Sequence, residues 1–280
     1  MTVQFDPGRL IWDCFGGLEV PEPAWEGDRD YWEGFNKAFF AANGMDYDPA
    51  RDSNVAVWIR SEDRASFSDM VAALAPRLAG AEDADLVLLA HWLPDLHMGT
   101  SVTNYAMHRL GLTEALGFAI SDRGLSAPLF AFDYAARVLQ QGRRRKVLLM
   151  VMDQRTMLYR DPAIEALAPA NVAALMVLDG KAPDGMTYRG YARRVVAEKA
   201  GLAAALAEIR AELGLPETTT VIGPNAVAPD VAIDPSLVCA APFIALARLE
   251  TSPAAALLAT WHQGSLCAIG FQREGIRDAA

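Results

Sequence analysis

The sequence has few cysteines, no excess of positive charge and no apolar run long enough to cross a membrane. Its three cysteines, Cys14, Cys239 and Cys267, are widely spaced among 280 residues and predict neither a disulfide framework nor a zinc site. A formal net charge of −10 argues against general nucleic-acid binding, which requires a basic face. We therefore expect no metal ion, no cofactor, no nucleic-acid partner and no membrane partner.

The first residues also lack a basic region followed by an apolar run, which is the pattern of a secretory signal. Hydrophobic residues make up 52% of the chain, and a chain of this length can bury a large core. This composition is typical of a well-packed α/β protein, and we expect a cytoplasmic location.

Residues 117–139 carry the clearest local pattern. A short apolar strand, Gly117–Ser121, leads into a polar corner at 122–124 and then into an amphipathic helix that extends to Leu139. A corner of this kind presents the first helical side chain at a helix N-terminus, where many enzymes hold a nucleophile. Here that side chain is Leu125.

Apolar runs and helical spacings elsewhere predict two copies of one α/β pattern. We expect one continuous domain of two duplicated βαβαβαββ halves, 1–180 and 181–280, with helices layered between sheets in an α/β/α/β/α order. The aromatic-rich segment 19–63 is irregular. It predicts a helix at Tyr31–Ala42 and a strand at Val55–Arg60 that pack onto the core, with a ligand or partner surface as the alternative.

Four segments together resemble the β-ketoacyl-acyl-carrier-protein synthase III group of thiolase-fold ketosynthases. They are Asp83–Asp95, Ile120–Leu139, Leu139–Asp153 and Trp261–Arg273. The resemblance covers most of 66–177 well and the C-terminal half in parts. It implies a thiolase-like α/β fold, and the short stretch between Asn225 and Cys239 implies a shortened C-terminal half.

Members of that family use a cysteine, a histidine and an asparagine. The cysteine accepts the acyl group, and the other two stabilise the charges of decarboxylative condensation. By resemblance these positions fall on Leu125, Asn225 and Ser236, so all three are degenerate. Leucine cannot take an acyl group, and loss of any member of such a unit costs orders of magnitude in rate. The chain alone is therefore predicted not to catalyse condensation.

The resemblance also implies a partner interface. In the family, the strand before the nucleophile corner pairs with its counterpart in a second subunit. Here that interface comprises Gly117, Phe118, Ala119, Ile120, Ser121 and Asp122. The leading hypothesis is a non-catalytic subunit in a heterodimer or heterotetramer with an active ketosynthase paralogue. Such a complex would serve polyketide-, fatty-acid- or alkylquinolone-type biosynthesis, with an acyl carrier protein as a further candidate partner.

Other hypotheses stay open. Ser126 or Cys239 could serve an acyltransferase or hydrolase of altered chemistry, although Ser126 is expected to cap or pack the helix start and all three cysteines are expected to be buried structural thiols. The chain could also bind an acyl chain or small molecule. His91, His97 and His108 lie in one region but lack further ligands for a metal. The basic run 143–146 is expected to be a solvated turn, with an acidic carrier protein as the alternative.

Overall fold

The computed structural model describes residues 2–179, 182 and 185–273 of the chain. The boundary predicted between the halves, 180/181, lies outside the described residues. The strands are β1 Gln4–Phe5, β2 Ile11–Phe15, β3 Leu86–Ala90, β4 Leu116–Ile120, β5 Val147–Asp153, β6 Asn171–Leu178, β7 Met186–Val195, β8 Thr220–Gly223, β9 Val231–Ala232, β10 Ala255–His262 and β11 Ser265–Gln272.

Nine α-helices connect these strands within the described part of the chain. They are α1 Arg29–Ala42, α2 Pro49–Asp52, α3 Val55–Arg60, α4 Phe67–Leu74, α5 Val102–Leu110, α6 Ala127–Gln140, α7 Pro162–Glu165, α8 Leu202–Glu212 and α9 Ala241–Ala247. Short 3₁₀ turns precede several of them, including those at Gly124–Ser126 and Pro235–Ala240.

Two mixed sheets form the frame of the molecule. The five-stranded sheet has the order β2-β6-β5-β3-β4, and the six-stranded sheet has the order β1-β7-β11-β10-β8-β9. Strands β3, β4 and β5 run parallel, so their carboxyl ends meet at one edge. Ligand sites of open α/β sheets form at such an edge. Strand β1 comes from the N-terminus yet pairs with β7 of the second sheet.

The hydrophobic residues divide into layers that match the predicted order. The largest cluster lies between the sheets and includes the buried faces of α6 and α9. A second cluster covers the outer face of the five-stranded sheet with α4 and α5, and a third places α8 on the outer face of the other sheet. The predicted α/β/α/β/α fold is confirmed. The second half is shorter because only a 3₁₀ turn at Asn225–Val227 separates β8 from β9.

The prediction of a strand at Val55–Arg60 is wrong, because this segment is helix α3. Its apolar, β-branched composition favours a strand locally, but tertiary packing decides otherwise. Val55, Trp58 and Ile59 are buried in a separate aromatic cluster. The Arg64 side chain packs into this cluster. It is 1% exposed, and its guanidinium group lies between the rings of Trp25 and Trp58.

The prediction that Cys14 is a buried structural thiol is also wrong. Cys14 is exposed, whereas Cys239 and Cys267 are buried as predicted. The reason is the position of β2, which forms the outer edge of its sheet and pairs only with β6. Successive side chains of a strand point to opposite faces, so about half of those on β2, including Cys14, face away from the core.

Candidate functional site

The start of α6 is the corner at which the family would hold its cysteine. Gly124 has a φ of +53°, and an added Cβ there would lie 2.8 Å from Cδ2 of His262. Leu125 is half-buried and packs against the main core. The Ser126 hydroxyl donates a hydrogen bond to the Arg123 carbonyl at 2.8 Å, which is a turn-stabilising contact. Nothing in this geometry activates Ser126 as a nucleophile.

A second corner, at the start of α9, meets the first one. The 3₁₀ turn Pro235–Ala240 contains Val238 with φ 46° and ψ −118°, a strained conformation for a β-branched residue. The Cys239 thiol that follows is buried and lies 3.7 Å from the Gly124 carbonyl oxygen. The structure therefore brings Cys239 beside the Leu125 corner, as the duplicated fold implies.

Asp153 holds these segments together from the end of β5. Its Oδ1 accepts hydrogen bonds from the backbone N–H groups of Trp92 and Leu93, at 3.0 and 2.8 Å, and its Oδ2 accepts one from Cys239 N–H at 3.0 Å. Burial raises the pKa of this carboxyl to about 6, although the three N–H donors favour its charged form. The sequence signal for Asp153 is an acidic residue that closes an apolar strand.

The same environment keeps the Cys239 thiol protonated. Burial raises its pKa well above the usual value, and the charge of Asp153 adds to that rise. A reactive cysteine needs the opposite surroundings, an accessible and electropositive site that favours the thiolate. The position of Cys239 at a helix start is therefore outweighed by its burial beside a carboxyl.

Asn225 and Ser236 do not supply the missing chemistry. Asn225 is exposed on the turn between β8 and β9. The hydroxyl of Ser236 donates to Asp234 Oδ1 at 2.7 Å, in the capped start of its 3₁₀ turn. Two cavities lie near the α6 corner, one of about 370 Å³ and one of about 180 Å³, and neither side chain lines them. Whether these positions are remnants of a catalytic site stays a prediction.

Sequence reasoning missed His262 and Trp92, which complete the corner. The two rings meet edge to face with centroids 4.7 Å apart, and the His262 ring contacts Gly124. Burial lowers the pKa of His262 and favours the neutral ring. Its sequence signal is the closing hairpin, where His262 lies in the segment that resembles the family's glycine-rich motif.

An aromatic-walled cavity of about 370 Å³ lies on the other side of Trp92. It opens at the carboxyl ends of β3, β4 and β5, and its walls include Phe35 and Phe39 of α1. The alternative reading of segment 19–63 as a ligand surface therefore gains support from α1. His91 lines the cavity, and burial lowers the pKa of this histidine. The cavity suits an apolar ligand.

Strand β4 lies at one edge of the five-stranded sheet, and no strand of the described residues pairs with its outer side. Residues 117–120 of the predicted interface lie on it, and Ser121 and Asp122 follow directly. Ala119 is exposed, and Leu116 at the start of the strand is 49% exposed. An apolar edge with free backbone groups is ready to pair with another strand. Whether a partner covers it stays a prediction.

The three histidines that are close in the sequence have separate surroundings in the structure. His91 Nδ1 lies 2.7 Å from the Leu93 carbonyl oxygen, His97 Nε2 lies 2.8 Å from Glu19 Oε2, and His108 is exposed. Among residues 2–179, 182 and 185–273, no group of three His, Cys, Asp or Glu side chains could hold a metal ion. Over the same ranges, no helix combines the length and apolar character that a bilayer crossing needs.

The basic run at 143–146 is anchored to acidic residues of its own chain. The Asp85 carboxylate accepts hydrogen bonds from the backbone N–H groups of Arg145 and Lys146, and Lys146 pairs with Asp83. Arg144 donates to the Asp85 carbonyl at 3.1 Å. These contacts agree with a structural turn, on which the Arg145 side chain stays 82% exposed.

Comparisons with known proteins identify solved structures that share this fold. No protein-family model matches the chain, and no curated protein matches its sequence. Among solved structures, OleA of Xanthomonas campestris is similar with a TM-score of 0.63 and 16% identity, over 98% of each chain. The 3-oxoacyl-[acyl-carrier-protein] synthase III of Aquifex aeolicus gives a TM-score of 0.59 and 12% identity, over 98% of this chain and 100% of that one.

A third solved structure, the tetronic acid condensing enzyme AbyA1, gives a TM-score of 0.63 and 17% identity, over 96% of this chain and 98% of the other. At such identities the similarity establishes architecture. The chain has the thiolase-like α/β fold that these condensing enzymes share, over nearly its whole length.

Proposed function

We propose that the chain is a non-catalytic ketosynthase III-like subunit that pairs with an active ketosynthase through β4. The complex would act in the cytoplasm, in polyketide- or fatty-acid-type biosynthesis, with an acyl carrier protein delivering its substrates. In it, this chain would stabilise the active subunit and shape its acyl pocket. Support comes from a condensing-enzyme fold whose nucleophile position holds Leu125.

The observation that carries the proposal is the open edge at β4. This strand pairs with β3 on one side and with no described residue on the other. The edge lacks two common protective features, since no proline and no charged residue lies within Leu116–Ile120. An edge of this kind is a liability in a monomer, so a pairing partner explains its persistence.

Altered catalysis by this chain has weaker support. The Ser126 hydroxyl is committed to the Arg123 carbonyl, and the Cys239 thiol is buried with a raised pKa. An acyltransferase or hydrolase would need one of these groups to become an exposed and activated nucleophile. A ligand-binding protein is the better second candidate, since the 370 Å³ cavity needs no nucleophile. It predicts a tight apolar ligand in the absence of any partner.

Copurification tests the pairing. We expect the chain to form a stable complex with an intact ketosynthase of its source genome when the two are coexpressed. The double substitution Leu116→Lys and Ala119→Lys should weaken this complex at least about tenfold, because pairing would bury two uncompensated charges. Size-exclusion chromatography with light scattering measures the complex, and titration of the separated subunits measures the affinity.

Val195→Lys is the matched control, because Val195 lies at the end of β7 and is 84% exposed. It adds one positive charge away from β4, against two in the double substitution, and should leave the complex intact. A stable homodimer that ignores every coexpressed ketosynthase would contradict the proposal. So would a heterodimer that the double substitution leaves unchanged.

A further inference from the structure

A second cavity, of about 180 Å³, flanks the α6 corner on the side of β7 and the β10–β11 turn. Its lining is mainly polar and includes Arg123, Arg193 and His262. One acidic residue, Asp122, also lines it. The two arginines of this lining stand out in a chain whose formal net charge is −10.

Arg123 is held in place by an aromatic ring and is only loosely paired with an acidic group. Its guanidinium carbon lies 3.8 Å from the centroid of the Phe130 ring, so the group is stacked and its orientation is fixed. Its buried Nε atom has no hydrogen-bond partner among the described residues. Asp122 Oδ1 lies 3.8 Å from this Nε, and that aspartate side chain is 76% exposed, so the ion pair is long and screened by solvent.

Arg193 approaches the same cavity from β7. Its Nε donates a hydrogen bond to Ser265 Oγ at 2.7 Å, and it forms no ion pair with a residue that the structure describes. The Tyr191 side chain lies near both arginines. Burial raises the pKa of its hydroxyl, and the charges of Arg123 and Arg193 oppose that rise. The two guanidinium groups therefore both contribute positive potential to the same small cavity.

The N-terminal end of α6 adds to this positive environment, and the neutral His262 ring offers one N–H donor. Neither ring nitrogen of His262 hydrogen-bonds to a described residue, and its ring packs against Gly124 at the corner. Helix α6 is 14 residues long, so its N-terminal end carries a partial positive charge. Every one of these features favours an anion in the cavity.

We propose that this cavity binds a phosphate group, either inorganic phosphate or the end of a small phosphate ester. Guanidinium groups bind phosphate oxygens through paired, charge-assisted hydrogen bonds, and two arginines suit a dianion better than a single carboxylate. A volume of 180 Å³ leaves room for a phosphate and a few further atoms. The site uses only residues of this chain and does not depend on the pairing through β4.

Calorimetric titration of the full chain at constant ionic strength tests the proposal. We expect saturable binding of inorganic phosphate or methyl phosphate, and binding of acetate at least about tenfold weaker, because a monoanion engages fewer guanidinium donors. Methyl phosphate that binds as tightly as inorganic phosphate identifies the ester as the ligand class. Tighter binding of inorganic phosphate identifies the free ion.

Substitutions test which side chains form the phosphate site. Arg193→Met removes an exposed guanidinium and should weaken phosphate binding at least about tenfold without unfolding the chain, and Arg123→Met should do the same while its apolar side chain stays on Phe130. Arg194→Met is the matched control, because Arg194 pairs with Glu208 and Glu212 elsewhere on the surface. It should change the affinity less than twofold.

Three results would overturn the proposal. They are no saturable binding of either phosphate, equal binding of acetate, and unchanged binding in a folded Arg193→Met variant. Circular dichroism of each variant establishes that it is folded before its affinity is interpreted.

Discussion

Replacing Asp153 by asparagine is expected to remove a pH dependence of about 3 kcal/mol from the free energy of unfolding. Burial raises the pKa of the carboxyl to about 6 in the folded chain, against an ordinary value of 3.8. Each unit of difference corresponds to about 1.4 kcal/mol. Because the folded state binds the proton more tightly, the contribution is fully present below pH 3.8 and is lost as the pH rises through 6.

The measurement is urea unfolding of wild type and Asp153→Asn between pH 4 and pH 7. The wild type should lose about 2 kcal/mol relative to the variant across this window, since part of the full contribution is already lost at pH 4. The free energy of unfolding of the variant should also be lowered by about 1–3 kcal/mol at all pH values. The reason is that an asparagine leaves at least one of the three backbone N–H groups facing an amide donor.

Asp52→Asn provides the control for this experiment. Hydrogen bonds from Arg51 and from the backbone of Asp48 lower the pKa of Asp52 to about 2. Both its folded and unfolded pKa values lie below pH 4, so its difference from wild type should be flat across the window. A flat difference for Asp153→Asn, or one that rises with pH, would show that Asp153 is not held in the buried environment described here.

Leu125→Cys is expected to leave condensation at least about a thousandfold below that of an intact ketosynthase, because a catalytic unit works only when it is complete. The new thiol would lie at the start of α6, which favours a thiolate. Asn225 is exposed, however, and the Ser236 hydroxyl is bound to Asp234, so neither replaces the family's histidine or asparagine. Product formation from acyl and malonyl thioesters measures the activity.

An intact ketosynthase from the source genome is the positive control, and reaction of the Leu125→Cys thiol with an alkylating reagent checks that it is accessible. Condensation within about tenfold of that enzyme would mean that other side chains of this chain complete the catalytic unit. His262, whose ring contacts Gly124, would then be the first residue to examine.

The layered fold was predictable because buried parallel strands are continuous apolar runs. The runs at Leu86–Ala90 and Val147–Asp153 are both fully buried, and the second ends in Asp153, one of the residues whose role was missed. Helix α3 was not predictable in the same way, because its six residues have the composition of a strand and owe their helical state to packing against distant aromatic residues.

The candidate site was predictable only where one segment defines it. The corner at Leu125 follows from a single strand and helix, and the approach of Cys239 follows from the duplication. Asp153 at the end of β5, His262 at the end of β10 and Trp92 in the loop after β3 come together from distant parts of the chain. Such contacts depend on how the two sheets pack, and no local pattern in the sequence encodes them.

The most direct test of the central claim is intact-mass analysis of this chain in complex with its ketosynthase after incubation with an acyl thioester. We predict the acyl mass on the partner's cysteine alone, and none on this chain, whose candidate Cys239 is buried and protonated. Peptide mapping locates the adduct. A stoichiometric acyl group on Ser126 or Cys239 of this chain would contradict the account.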